Sequence, residues 1–97
     1  MTTQAIKKKI LPILKRQGVT KAALFGSSAR GEMKKRSDID ILIKFRGQKS
    51  LLDLVRLQFE LEEKLDRKVD VLTYDGIHHL LRDIILNEQK IIYEKRS

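Results

Sequence analysis

Phe25-Gly26-Ser27-Ser28-Ala29-Arg30-Gly31 and, ten residues beyond the Gly26-Ser27 pair, Asp38-Ile39-Asp40-Ile41-Leu42-Ile43-Lys44-Phe45 make up the stretch that decides how this chain folds. Side chains alternate across a strand, so Asp38 and Asp40 share one face while Ile39, Ile41 and Ile43 share the other. The short apolar run 21–25 leads straight into Gly26 and reads as an earlier strand ending in a turn. Two strands joined through a Gly-Ser turn, the second opening with paired carboxylates, are therefore the centre of the fold.

The rest of the chain arranges itself around them. Residues 4–17 carry Ile6, Ile10, Ile13 and Leu14 at helical spacing, with lysines and an arginine mostly off that stripe. Pro12 lacks an N–H and crowds the preceding turn, which predicts a kink or a short first segment. Ser50-Leu51-Leu52-Asp53 has the form of a capping box, so a helix is expected from there to about Asp66. Its apolar positions, from Leu51 through Phe59 to Leu65, span more than one face, which suits either a partner surface or a helix wedged into the core. Residues 68–73 form a third strand. Ile77, Leu80, Leu81, Ile84 and Ile85 predict a further helix, and 90–94 a last strand, at an edge. The order α-β-β-α-β-α-β predicts one α+β domain over residues 1–97, with a small mixed sheet of about four strands flanked by helices.

Composition sets limits. Ninety-seven residues with 41% hydrophobic content suit a single compact domain with a modest core. Such a domain leaves no room for a large second-substrate module. The 21 basic against 13 acidic residues give a formal charge of +8, a field that attracts anions without choosing among them. The absence of cysteine excludes disulfides and thiolate metal sites. No apolar run reaches the length of a membrane span or signal-peptide core, so a cytoplasmic protein with no membrane partner is the expectation.

Two carboxylates one alternation apart, at the mouth of an apolar strand, can jointly hold a hard divalent cation, and Mg²⁺ favours such oxygen donors. Asp70 stands alone between Val69 and Val71 on the third strand, where an isolated carboxylate needs a partner, solvent or a metal. If the two strands are neighbours, Asp38, Asp40 and Asp70 converge. A two-ion site able to clamp an in-line displacement at phosphorus then becomes available. Asp70 is also the candidate to take a proton from an attacking hydroxyl. Gly26 permits a tight turn and close approach of a phosphate to the backbone. Ser27 and Ser28 offer hydroxyl and N–H donors to a triphosphate, and Arg30 offers a planar fork. A lone Gly-Ser turn or a Ser-Asp pair is ordinary loop chemistry. Their combination with Arg30-Gly31, the fixed gap and Asp70 points to a phosphate and metal site.

With these residues in place, the chain resembles the nucleotidyltransferase superfamily that includes DNA polymerase β. The carriers are Gly26-Ser27, ten residues, Asp38-Ile39-Asp40, the embedded Ala29-Arg30-Gly31, and the later Asp70. More narrowly, the length and the run Leu24-Phe25-Gly26-Ser27-Ser28-Ala29-Arg30-Gly31-Glu32 are similar to the minimal nucleotidyltransferases, the antitoxin halves of HEPN–MNT pairs. The resemblance implies Mg²⁺ dependence and transfer of a nucleoside monophosphate, usually from ATP, with release of pyrophosphate. It implies metal ligation by Asp38, Asp40 and Asp70, and triphosphate binding by Ser27. By analogy, it implies a HEPN-family toxin tyrosine as acceptor.

Other residues carry less. His78 and His79 are adjacent on the expected helix and cannot share one metal in the i, i+4 manner. Tyr74 and Tyr93 could stack on a base, but pairs of tyrosines in small domains are commonly packing residues. Lys34-Lys35-Arg36 suits either steering of a triphosphate or a solvated turn. Two further readings stand beside the enzyme: an antitoxin acting by contact alone, and a nucleic-acid-binding module suggested by the charge. No aromatic-basic RNA motif or recognition-helix pattern supports the latter.

Overall fold

The computed structural model describes residues 2–26, 29 and 38–95. Helix α1 (Thr3–Arg16) leads to strand β1 (Val19–Leu24). Strand β2 (Ile39–Phe45), helix α2 (Leu51–Leu65) and strand β3 (Val69–Thr73) follow. A 3-10 turn (Tyr74–Gly76), helix α3 (Arg82–Glu88) and strand β4 (Lys90–Glu94) complete the order. The four strands form one sheet in the order β3-β2-β1-β4. β1 pairs antiparallel with both β2 and β4, whereas β2 and β3 are parallel, joined by the α2 crossover. The mixed sheet and the element order are those expected from the sequence, and β4 lies at an edge as expected.

One face of the sheet makes most of the core. Ile6, Ile10 and Leu14 of α1 and Leu57, Leu61 and Leu65 of α2 pack on Ala22, Leu24, Ile39, Ile41, Ile43, Val69 and Ile92. Each fully buried leucine or isoleucine there contributes about 1.5–3 kcal/mol relative to exposure. The other face holds a smaller cluster of Ala23, Leu42 and Ile77, with Phe25, Tyr74, Ile85 and Leu86 packed against it. The strand alternation thus places Asp40 and Leu42 opposite the three β2 isoleucines.

α1 runs continuously through Pro12 instead of stopping at a short first segment. Pro12 and Lys8 are both exposed, so water can meet the Lys8 carbonyl that the proline leaves without an intrahelical donor. α2 begins as its capping box predicts: Asp53 N–H donates to Ser50 Oγ at 3.3 Å and Ser50 N–H to Asp53 Oδ2 at 3.0 Å. The carboxylate is held below its usual range chiefly by the hydrogen bond from the Ser50 backbone. α2 packs by a single stripe and is not wedged into the core, since Leu51, Leu52 and Phe59 remain exposed.

The third-helix region departs furthest from expectation. Residues 77–81 form a bend and turn, and α3 starts only at Arg82. Of the predicted stripe, Ile77 is buried and Ile85 packs on the small cluster, while Leu80, Leu81 and Ile84 are exposed. Apolar spacing alone implied a longer packed helix. The local chain instead closes a turn, with Leu80 N–H donating to His78 Nδ1 and Leu81 N–H to the His78 carbonyl. His78 and His79 therefore sit ahead of the helix, both exposed, with rings stacked at 4.5 Å.

Candidate active site

The parallel register sets Ile39 against Val69 and Asp40 against Asp70. The condition posed by the sequence, that the two carboxylate-bearing strands be neighbours, is met. Asp40 and Asp70 stand side by side on the face away from α1 and α2. Asp40 is half-buried and Asp70 exposed; Asp38, just before β2, is also exposed.

Electrostatics tie the three together. Burial pushes the Asp40 carboxyl above the ordinary 3.8, and the like charges of Asp70 and Asp38 push it further. A hydrogen bond between the Asp40 and Asp70 side chains acts in the same direction, as two carboxyls sharing a proton do. Among the described residues no three His, Cys, Asp or Glu side chains form a group that could hold a metal ion. The expected convergence of all three aspartates is therefore met only by the pair Asp40 and Asp70, with Asp38 acting on Asp40 through its charge. The like charges of the three carboxylates repel, and that repulsion acts chiefly on the least exposed of them, Asp40. The donor set itself is all carboxylate oxygen, which fits a hard cation such as Mg²⁺.

Gly26 closes one side of this site. Its φ of +61° lies in the left-handed region, and a Cβ built there would come within 2.9 Å of Asp40 Oδ2. The sequence suggests the glycine for its turn; the structure adds that its missing side chain makes room for the carboxylate. Phe25 N–H donates to the Asp40 carbonyl at 3.1 Å, fixing the turn to β2, and Ala29 N–H donates to the Gly26 carbonyl at 3.2 Å. The predicted phosphate ligands Ser27, Ser28 and Arg30, like Lys34-Lys35-Arg36, lie outside the described residues.

Glu62 was not suggested by the sequence, where it reads as one of several charged residues on α2. Its Oε2 accepts the Val69 N–H at 3.0 Å, one residue before Asp70. A glutamate in the last turn of a helix, a few residues before a short edge strand, is the available signal. Tyr74 is half-buried; its hydroxyl donates to Gln89 Oε1 at 2.6 Å and its ring lies 5.0 Å from Lys21 Nζ. Burial raises the phenol to about 12. These contacts make it a packing residue of the small cluster.

The site offers adjacent carboxylates at the start of parallel strands, beneath a glycine turn. Such an arrangement suits metal-assisted chemistry on a phosphorylated substrate. No helix among the described residues is long and apolar enough to cross a membrane. A protein of Methanocaldococcus jannaschii that bears an assigned protein adenylyltransferase name is 61% identical over 88 residues, 91% of this chain and 95% of that one. A solved structure described as a minimal nucleotidyltransferase superposes with a TM-score of 0.79 at 36% identity, covering 90% of this chain and 89% of the other. The fold also recurs in a complex of the tri-AMPylated HEPN toxin of Shewanella oneidensis with its MNT antitoxin. That match has a TM-score of 0.75 at 21% identity, over 95% of this chain and 72% of that one. The sequence profile of the nucleotidyltransferase domain matches residues 7–92, so the paired aspartates beneath the glycine turn belong to a chain that is a member of the nucleotidyltransferase family.

Proposed function

We propose that residues 1–97 form one catalytic unit, acting in the cytoplasm, that moves AMP from ATP to a protein hydroxyl. The acceptor is a tyrosine of a HEPN-family toxin, and the transfer makes this chain its antitoxin. The observation that carries the reading is the in-register pair of Asp40 and Asp70 beside Gly26. The adenylyltransferase name of the M. jannaschii relative and the AMPylated toxin in the complex of similar fold support the donor and acceptor classes.

Asp38, Asp40 and Asp70 would hold Mg²⁺, which when bound supplies neutralisation of phosphate charge and polarisation of the reacting phosphorus. Gly26 leaves the backbone open to a phosphate, with Ser27, Ser28 and Arg30 as further donors to the triphosphate. Asp70 is exposed on the site face, where an incoming hydroxyl can reach it, and accepts the hydroxyl proton. The hydroxyl oxygen then bonds to the α-phosphorus as the bond to the departing pyrophosphate breaks. Asp40, less exposed than Asp70 and directly across the register from it, is placed to share the cation with Asp70.

The test is incubation of the chain with α-labelled ATP, Mg²⁺ and the HEPN-type product of the neighbouring gene. Label should appear on the toxin tyrosine. Label transfer that persists in an Asp38→Asn, Asp40→Asn double variant would refute the site assignment. A second reading, neutralisation by contact alone, is favoured by the exposure of Leu51, Leu52 and Phe59 along α2. A catalytically dead variant that neutralised the toxin fully would select it.

A further inference from the structure

β3 is an edge strand of five residues, paired among the described residues with β2 alone. Its register decides what stands beside Asp40. In a strand a slip of one residue reverses every side chain, so Val69 or Val71 would replace Asp70, and Asp70 would turn toward the helix-covered face. Burial of Val69 and packing of Val71 on the helix-covered face favour the observed register. A contact on the outward side of the strand adds to that hold.

From the contacts around the α2–β3 connection we infer that Glu62 is a positioning residue for Asp70, by clamping the free edge of β3. Lys68 carbonyl accepts the Ile39 N–H at 3.0 Å, so the backbone groups of residue 68 face β2. By alternation those of residue 69 face outward and those of Asp70 face β2 again. The outward N–H of Val69 is the one that Glu62 Oε2 takes at 3.0 Å. The same residue's carbonyl accepts the N–H groups of Asp66 and Arg67, the latter at 3.4 Å, across a left-handed turn at Asp66. Glu62 therefore holds both ends of the connection, from the end of the helix to the first residue of the strand. Leu61 and Leu65, both buried, fix α2 itself. A carboxylate on a backbone N–H is also a stronger bond than a neutral acceptor makes.

The inference rests on the reading of Asp70 as a reacting carboxylate, and the test separates the two. In E62A, amide exchange at Val69 should quicken roughly tenfold on loss of its acceptor. The kcat for AMP transfer should fall on the order of 10²-fold through misplacement of Asp70, with KM for ATP little changed. E62Q keeps an acceptor oxygen and should restore most of both. Unchanged Val69 exchange in E62A overturns the inference, as does an unchanged kcat despite faster exchange. So does an E62Q variant whose kcat stays low while Val69 is protected. If the wild type transfers no AMP, the functional reading fails and the exchange result alone decides the clamp. Should E62A fail to fold, the wild type decides: the Val69 amide must be clearly better protected than that of Val71, which leaves the same edge, and equal protection overturns the clamp.

Discussion

The two faces of the sheet are made by the same strands and meet opposite demands. On one, Ile39, Ile41 and Ile43 alternate inward against α1 and α2 and are fully buried. On the other, one residue along each strand, Asp40 and Asp70 stand side by side, and burial and like charge push the Asp40 carboxyl upward. The first face lowers the free energy of folding; on the second a smaller apolar cluster does the same, and the carboxylate pair opposes it. Chains of this size have only a modest core. Concentrating the well-packed residues on one face lets the other carry a repulsive pair at fixed geometry, which is what a site for a hard cation requires.

The largest expected effect lies on the carboxylate face. Asp70→Asn should lower AMP transfer by roughly 10²–10⁴-fold, the range for loss of a positioned general base, with melting temperature unchanged or raised. Steady-state kinetics and a thermal melt check both halves. Gly26→Ala should disturb the same place from the other side: the new Cβ meets Asp40 Oδ2 and the +61° backbone strains any other residue. Its kcat should fall while the α1–α2 face stays intact by circular dichroism.

The packed face should respond in the reverse sense. Leu14→Ala removes a fully buried side chain of α1 and should cost about 2–5 kcal/mol in urea unfolding. The specific activity of the molecules still folded should match wild type. A loss of activity beyond the unfolded fraction would show that the faces are not separable.

Smaller effects come from the caps and the surface. Ser50→Ala should cost about 0.5–2 kcal/mol. Its partner Asp53 is held below 3.8, so the folded state binds that proton more weakly than the unfolded chain does. The contribution of Asp53 is present above pH 3.8 and fades as pH falls through the lowered value. Asp40 has the opposite sign: its raised carboxyl favours the folded state at acid pH, and that stability is lost as pH climbs from 3.8 through the raised value. Comparing the acid limb of wild type with that of Asp53→Asn isolates the first term. Phe59→Ser, on the exposed side of α2, should change stability by less than about 0.5 kcal/mol.

What the sequence disclosed follows the range of the interactions involved. The α2 capping box, β2 and β4 depend on neighbours within a few residues, and each appears where its local signal places it. Asp38, Asp40 and Asp70 could be named as candidates because carboxylates in apolar strands are conspicuous. Their meeting depends on strand order and on a parallel register that no local signal encodes. The stripe from Ile77 to Ile85 misled because helical spacing does not say whether the chain has a surface to pack against; here only Ile77 and Ile85 find one. Glu62 stayed hidden for the same reason, since its partner is a backbone N–H that any residue at position 69 other than proline would offer.

The central claim is that the carboxylate face is shaped for a cation and is strained without one. Thermal melting of wild type and Asp40→Asn at neutral pH, each with and without Mg²⁺ and a non-hydrolysable ATP analogue, tests it most directly. The account predicts that the variant melts above wild type in metal-free buffer, and that only wild type gains stability when Mg²⁺ and nucleotide are added. A variant that melts lower without metal, or that gains as much as wild type with it, would contradict the account.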